Sequence, residues 1–190
     1  MKKFLFLIVM AIAVVSCKSP EARYPVSQSS GSYIDQSVEK NREMIAQEED
    51  YIKQVMGENT STEYITSADG FWYYYNNKSL DSLNTETPEF GDIVTFDYSI
   101  STIEGEAIYA EGDKPTREYA IDREKLFTGL RQGLKLMKEG ETVTFLFPSH
   151  KAFGYYGDQE RIGSNKPISA KVTLHSIKEE EQSNTETKEQ

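Results

Sequence analysis

An α+β domain, with an antiparallel sheet covered on one face by a single short helix, is the fold class this sequence predicts. Three observations carry it. The stretches 93–100, 141–147 and 171–177 alternate from residue to residue between two sets of side chains, as strands that bury one face and solvate the other do. One stretch has helical spacing instead, with Leu126, Leu130, Leu134 and Met137 three or four apart. A length of 190 residues, 37% hydrophobic and 27% charged, fits one globular domain with accessory segments and excludes a multispanning membrane chain or wholesale disorder.

The first sixteen residues read as an address. Lys2 and Lys3 precede an unbroken apolar run from Phe4 to Val15. That run is too short for hydrocarbon that needs about twenty residues, and it has the length of a secretory signal core. It ends in Val14-Val15-Ser16-Cys17, which resembles a bacterial lipobox. The resemblance implies cleavage before Cys17 and acylation, palmitate included, of its thiol and new amino group. Several acyl chains on one residue would hold a membrane stably, at about 0.8 kcal/mol per buried methylene. The plainer alternative is an ordinary signal peptide followed by a stray thiol. Lys18, where no aspartate stands, favours an outer-membrane destination facing the periplasm.

Residues 17–33, rich in Ser, Pro, Gln and Gly, are expected to form a flexible tether. A helical extension follows over 34–60, with Ile34, Val38, Ile45, Ile52 and Val55 in a narrow apolar stripe. Gly57 and Asn59 supply its stop. Such a helix can pack on the domain, act as a spacer, or make a dimer by pairing over 34–56 with a second copy. The tail 179–190 has no apolar residue and is expected to be disordered.

Between them, 64–178 reads as the folded domain. In 93–100, Val94, Phe96, Tyr98 and Ile100 share a face; in 141–147, Val143, Phe145 and Phe147 do; in 171–177, Val172 and Leu174. Lys138-Glu139-Gly140 closes the helix. Gly133 inside it costs roughly 0.8–1 kcal/mol of propensity, which close approach of helix backbone to sheet would explain. The twenty residues from Pro148 to Pro167 hold several glycines together with Phe153, Tyr155, Tyr156 and Ile162. A loop so long in a small domain is usually functional or disordered; its aromatic content is odd for disorder, and it reads as a flap over a pocket.

Charge and composition remove other classes. With 21 basic against 31 acidic residues the chain carries net charge −10, which argues against generic nucleic-acid binding. One cysteine and two histidines allow no internal disulfide and no zinc site of the usual Cys/His composition. No cofactor or metal is expected.

Several segments, in order, resemble the FK506-binding-type prolyl isomerases. Gly129-Leu130-Arg131-Gln132-Gly133-Leu134-Lys135-Leu136-Met137-Lys138-Glu139-Gly140-Glu141 is similar to the family's GWxEGLxxMxxGE. Pro148, Ala152-Phe153-Gly154 and Gly157 resemble P…AYGxxG, and Ile162, Asn165 and Pro167 sit where the family has IPxN. Upstream, Gly91-Asp92-Ile93-Val94-Thr95-Phe96-Asp97-Tyr98 resembles GDxVxVxY, with Gly105 in the following hairpin, and Tyr119-Ala120-Ile121-Asp122 resembles FxLG. Ser67-Ala68-Asp69-Gly70-Phe71-Trp72-Tyr73 is similar to the SxxGLxY lead-in of larger exported members. An acidic lipoprotein of this size is also similar to the gliding-motility-associated isomerase lipoproteins of Bacteroidetes.

The resemblance implies a sheet of five or six antiparallel strands wrapped around one short helix. It implies peptidyl-prolyl cis-trans isomerase activity on proline-containing clients, in protein folding at the envelope, without cofactor. Its site residues carry over as follows. Tyr98 is one wall, Leu126 and Phe127 line the side, Leu130 is the floor and Phe153 the lid residue. Ile108, Tyr109, Tyr119, Tyr155 and Ile162 are the further substrate-binding positions. The family's floor tryptophan is Leu130 here, its lid tyrosine is Phe153, and its hairpin Phe-Asp pair is Ile108-Tyr109, so the pocket carboxylate is missing. An aromatic of the family's last strand falls on Ala170, and an aromatic near position 117 falls on Arg117. These departures point to modest turnover and away from macrolide binding.

Other readings of the same residues exist. A weak or inactive prolyl-binding or chaperone module, as part of a gliding-motility or secretion machinery, shares every motif. The run Phe71-Trp72-Tyr73-Tyr74-Tyr75 could offer a carbohydrate platform, although alternation sends its rings to both faces. Ser149-His150 lacks the turn motif of a hydrolase nucleophile. Asp97 and Glu104 as a glycosidase pair would put Asp97 on the solvent face of its strand.

Overall fold

The computed structural model describes residues 31–79 and 86–179. The signal stretch, Cys17, residues 18–30 of the tether and residues 180–190 of the tail lie outside the described residues.

Helix α1 (Gly31–Glu58) runs through Lys-, Glu- and Gln-rich sequence of good helix propensity. It begins three residues inside the stretch expected as tether. The chain divides into two compact units, residues 1–39 and 40–190. Of the first, the described part is the opening of α1, where Ile34 (59%) and Val38 (43%) are exposed.

The second unit is built on one sheet. Its strands are β1 (Ile65–Thr66), β2 (Trp72–Asn77), β3 (Ile93–Ser101), β4 (Ala107–Tyr109), β5 (Arg117–Ala120), β6 (Thr142–Phe147) and β7 (Ile168–Lys178). All pairings are antiparallel, in the order β1-β2-β6-β7-β3-β4, and β5 also pairs with β3. The seven strands among the described residues exceed the five or six expected. The surplus lies in pieces as short as the two-residue β1, too brief for a periodic signal in the sequence.

Alternation along the strands places Val94, Phe96, Ile100, Val143, Phe145, Phe147, Val172 and Leu174 in one buried cluster. Helix α2 (Thr128–Leu134) lies on that face through Leu130 and Leu134. It is shorter than its apolar stripe. After Leu134 the chain tightens into i to i−3 turns, Leu136 N–H donating to Gly133 O at 3.0 Å and Met137 N–H to Leu134 O at 3.1 Å. Met137 still ends up fully buried. The backbone of α2 sits directly against the stacked rings of Phe145 and Phe147, 5.5 Å apart. A Cβ at Gly133 would stand 2.9 Å from Phe145 Cε1, and one at Gly129 only 2.5 Å from Phe147 Cδ1. Close approach is therefore why glycine is worth its helix propensity here.

The opposite face was expected to be solvated, and in part it is not. Ile52, Trp72, Ile103 and Leu146 form a second buried cluster, with Val55, Met56 and Tyr64 packed on it. The later half of α1 thus covers Trp72 of β2 and Leu146 of β6. Their outward positions are apolar because a helix shields them, which period-two reading of the strands alone does not reveal.

Candidate active site

The inner face of β3 leads from buried Phe96 to half-buried Tyr98, rings 5.7 Å apart. Leu126 and Phe127 come just before α2, Phe127 being its N-cap with extended backbone. The loop 148–167 carries two 3-10 turns, Ser149–Lys151 and Gly154–Tyr156, and Phe153 stands between them. Its ring lies 4.9 Å from that of Phe127, which in turn meets Phe147 edge-on at 5.6 Å. Tyr98, Ile108, Leu126, Phe127 and Phe153 are all half-buried and packed against one core. Each keeps part of its apolar surface open, and the five together are called the cradle below.

The other expected positions divide. Leu130, Tyr119 and Ile162 belong to the core behind the cradle and present almost no surface. Tyr119 donates its hydroxyl to Glu124 O at 3.3 Å, and burial raises its pKa. Tyr155 stands apart from the cradle. The turn Gly154–Tyr156 directs its side chain outward, where it is 72% exposed and meets the ring of Tyr156 at 5.3 Å. Arg117 donates to Lys125 O at 2.9 Å.

Tyr109 has a different part from the carboxylate it replaces. Its hydroxyl, on a residue only 4% exposed, donates to Asp158 and lies 3.0 Å from Glu160 Oε2. Lys114 Nζ and Arg161 Cζ lie 4.0 Å and 4.8 Å from the ring centroid. Arg161 also donates to Ile108 O at 2.9 Å and pairs with Asp113 at 3.1 Å. Burial first, then the two carboxylates, push the phenol's pKa well up. The flap is therefore latched to β4 by the very residue that removes the family's acid.

Asp158 is the centre of that latch. One carboxylate oxygen accepts the N–H groups of Glu160, Arg161 and Ile162 at 2.9, 3.0 and 2.7 Å; the other accepts Tyr109. Burial acts to raise its pKa, but the phenol and then the backbone N–H groups outweigh it and hold Asp158 below the usual carboxylate value. Gly157 makes the turn possible. Its φ is 64° and a Cβ would stand 2.1 Å from Ile162 O.

The root of the flap is tied to α1. Glu48 accepts Ser149 N–H at 2.8 Å and Ser149 Oγ–H at 2.7 Å. That bond occupies the serine, and Ser149 is buried, so it is no free nucleophile. Asp97 bonds His175 Nε2 at 2.7 Å on the outer face of the sheet, whereas Glu104 stands in the β3–β4 turn. Asp122, where the family pattern has glycine, takes φ 61°, a conformation aspartate tolerates better than most residues. Its carboxylate holds Arg131 at 3.3 Å and Lys135, which fastens α2 to the end of β5.

Asp158, Glu160, Lys114, Arg161 and Glu48 were absent from the sequence-based site. An aspartate directly after glycine and shortly before a turn was the available signal for the first; nothing local marked the others.

Residues 84–175 match the family model described as FKBP-type peptidyl-prolyl cis-trans isomerase. Among solved structures, a peptidyl-prolyl cis-trans isomerase from Pseudomonas syringae pv. tomato str. DC3000 is similar, with TM-score 0.57 and 17% identity over 73% of this chain and 96% of that one. FkpA from Escherichia coli is similar with TM-score 0.56 and 19% identity, over 94% of this chain and 82% of that chain. At such identities the likeness to these structures is one of fold.

Proposed function

The chain carries, over residues 84–175, an FKBP-type peptidyl-prolyl cis-trans isomerase domain, and from that premise we propose that it isomerises Xaa-Pro bonds of exported clients from a lipid anchor in the bacterial envelope. The observation that supports the assignment of the site is the grouping of Tyr98, Ile108, Leu126, Phe127 and Phe153 as half-buried apolar surfaces on one core.

The chemistry follows from the amide. An Xaa-Pro bond has cis and trans forms within about 0.5–1 kcal/mol, separated by a barrier of ~18–20 kcal/mol that reflects lost resonance. The planar ground state is charge-separated and well hydrated; the twisted state is less polar. A dry aromatic cradle around the proline ring disfavours the first more than the second. Each 1.36 kcal/mol of that difference is worth about tenfold in rate. The step needs no nucleophile and no proton transfer.

Nuclear magnetic resonance exchange on a set of Xaa-Pro peptides tests this. Exchange should accelerate in proportion to protein concentration and vary little from about pH 6.5 to 8. Desolvation and then Lys151 disfavour the charged form of His150, in the first turn of the flap, and hold its pKa below the usual histidine value. Line broadening from binding without faster exchange would make the domain a prolyl-binding module; two steep limbs would point to acid–base chemistry.

The envelope assignment rests on Lys2, Lys3, the run Phe4–Val15 and the Ser16-Cys17 junction. Cells producing the chain should incorporate labelled palmitate into it, and Cys17→Ala should abolish the label and release the protein from membranes. Retention of label in that variant would place any acylation elsewhere. A dimer through 34–56 is proposed on the exposed Ile34 and Val38.

A further inference from the structure

The outer face of the sheet, away from α2, holds a separate hollow of about 810 Å³. That volume is in the range of small-molecule sites, roughly 300–1,000 Å³. Its floor is made by outward positions of β3, β6 and β7. Ser169 pairs across to Ser101, and Lys171 pairs across to Ser99 and Thr144. The floor thus carries small hydroxyl side chains at strand spacing, with Lys171 between them and Leu146 beside Ser169. Tyr64 and Tyr74, edge to face at 5.3 Å, contribute rings to its wall, and the β3–β4 turn with Glu104 lines it as well.

Ser169 is the telling residue. It is only 7% exposed, yet its hydroxyl has no hydrogen-bond partner among the described residues. Nor have those of Ser99 and Ser101. Other buried hydroxyls in this fold are engaged, Thr144 with Asn76 at 2.7 Å and Ser149 with Glu48 at 2.7 Å. Polar groups this deep ordinarily have partners. Among the described residues no sealed side-chain nitrogen or oxygen lacks one, so the Ser169 hydroxyl is reachable, and the space it borders is the hollow.

The chemistry of the lining selects the ligand. Glu58, Glu104 and Glu111 outnumber Lys171 in the lining, and Lys171 already lies 3.8 Å from Glu111; anions are disfavoured. The floor strands β6, β7 and β3 are each paired on both sides along most of their length, so no free ladder of backbone groups is offered to an extended peptide. What is offered is hydroxyls that both donate and accept, beside tyrosine rings. A sugar ring presents the complement: hydroxyls around its edge and an apolar C–H face.

We propose that this trough binds a short neutral oligosaccharide, with a C–H face on Tyr74 and ring hydroxyls on Ser99, Ser101 and Ser169. Titration of the full chain with chitotriose and maltotriose, followed by calorimetry and by backbone amide shifts, tests it. At least one sugar should bind with a dissociation constant of about 1 mM or tighter and shift the amides of Ser99, Ser101 and Ser169. Ser169→Ala should weaken that binding by about fivefold to tenfold while leaving prolyl isomerisation at the parental rate. Ser101→Ala, at a more open position, should behave likewise should Ser169→Ala fold poorly, and Tyr74→Ala should weaken binding by about tenfold. No binding of either sugar overturns the proposal. So does a Ser169→Ala affinity equal to the parent's, or a proline-free peptide that shifts these amides where the sugars do not.

Discussion

Asp158→Ala is expected to release the flap while leaving the core folded. The substitution strips three backbone N–H groups, those of Glu160, Arg161 and Ile162, of their acceptor. It also leaves the buried Tyr109 hydroxyl with Glu160 alone. Unpaired groups of this kind cost about 1–3 kcal/mol each where water cannot reach them. Glu160 and Arg161 are exposed, so water takes up part of the cost, and a net loss of about 2–4 kcal/mol is expected, concentrated locally. Amide hydrogen exchange should speed up for residues 158–162 far more than for Phe145 or Val172, and isomerisation should fall with it. Asp158→Asn retains an acceptor for the turn and should lose less. The sign with pH follows from the depressed pKa of Asp158. Its contribution is complete above the ordinary value of 3.8 and disappears as pH falls through the lower folded value. Unchanged exchange at Ile162 in Asp158→Ala would refute the latch.

The second large effect concerns the cradle itself. Phe153→Ala removes the ring that lies 4.9 Å from Phe127 and opens the apolar surface to water. Tyr98→Ala does the same from the β3 side. Each should slow catalysed cis–trans exchange by roughly tenfold or more, the equivalent of 1.36 kcal/mol or above in barrier. Both side chains are half-buried, so the cost to stability should stay near 1–3 kcal/mol, below that of a full core aromatic. Thermal melts should remain cooperative. Parental rates in both variants would put the reactive surface somewhere else on the domain.

Much of this molecule is legible from neighbours in the chain. The period of two in β3, β6 and β7 marked which residues enter the core, and Val94, Phe96, Val143, Phe145, Phe147, Val172 and Leu174 are all buried there. The spacing of Leu130, Leu134 and Met137 marked the face of α2, although the helix itself stops at Leu134. Gly133 announced a tight crossing before any ring was placed against it. Phe153 and Tyr155 show the limit. Both are aromatic residues of one glycine-rich flap, two apart, and only the run of the two 3-10 turns sends Phe153 to the cradle and Tyr155 to solvent.

What depended on tertiary structure joins residues distant in the chain. Tyr109 meets Asp158 across 49 positions and Glu48 meets Ser149 across 101. Trp72 and Leu146 are apolar outside the sheet only because α1 returns to cover them. Side-chain periodicity is set by backbone geometry over a few residues, so the strands, the helix face and the order of motifs stand in the sequence alone. A latch, a covered outer face and a hydroxyl left without a partner are set by which surfaces meet after the chain has closed, and no window along it carries that information.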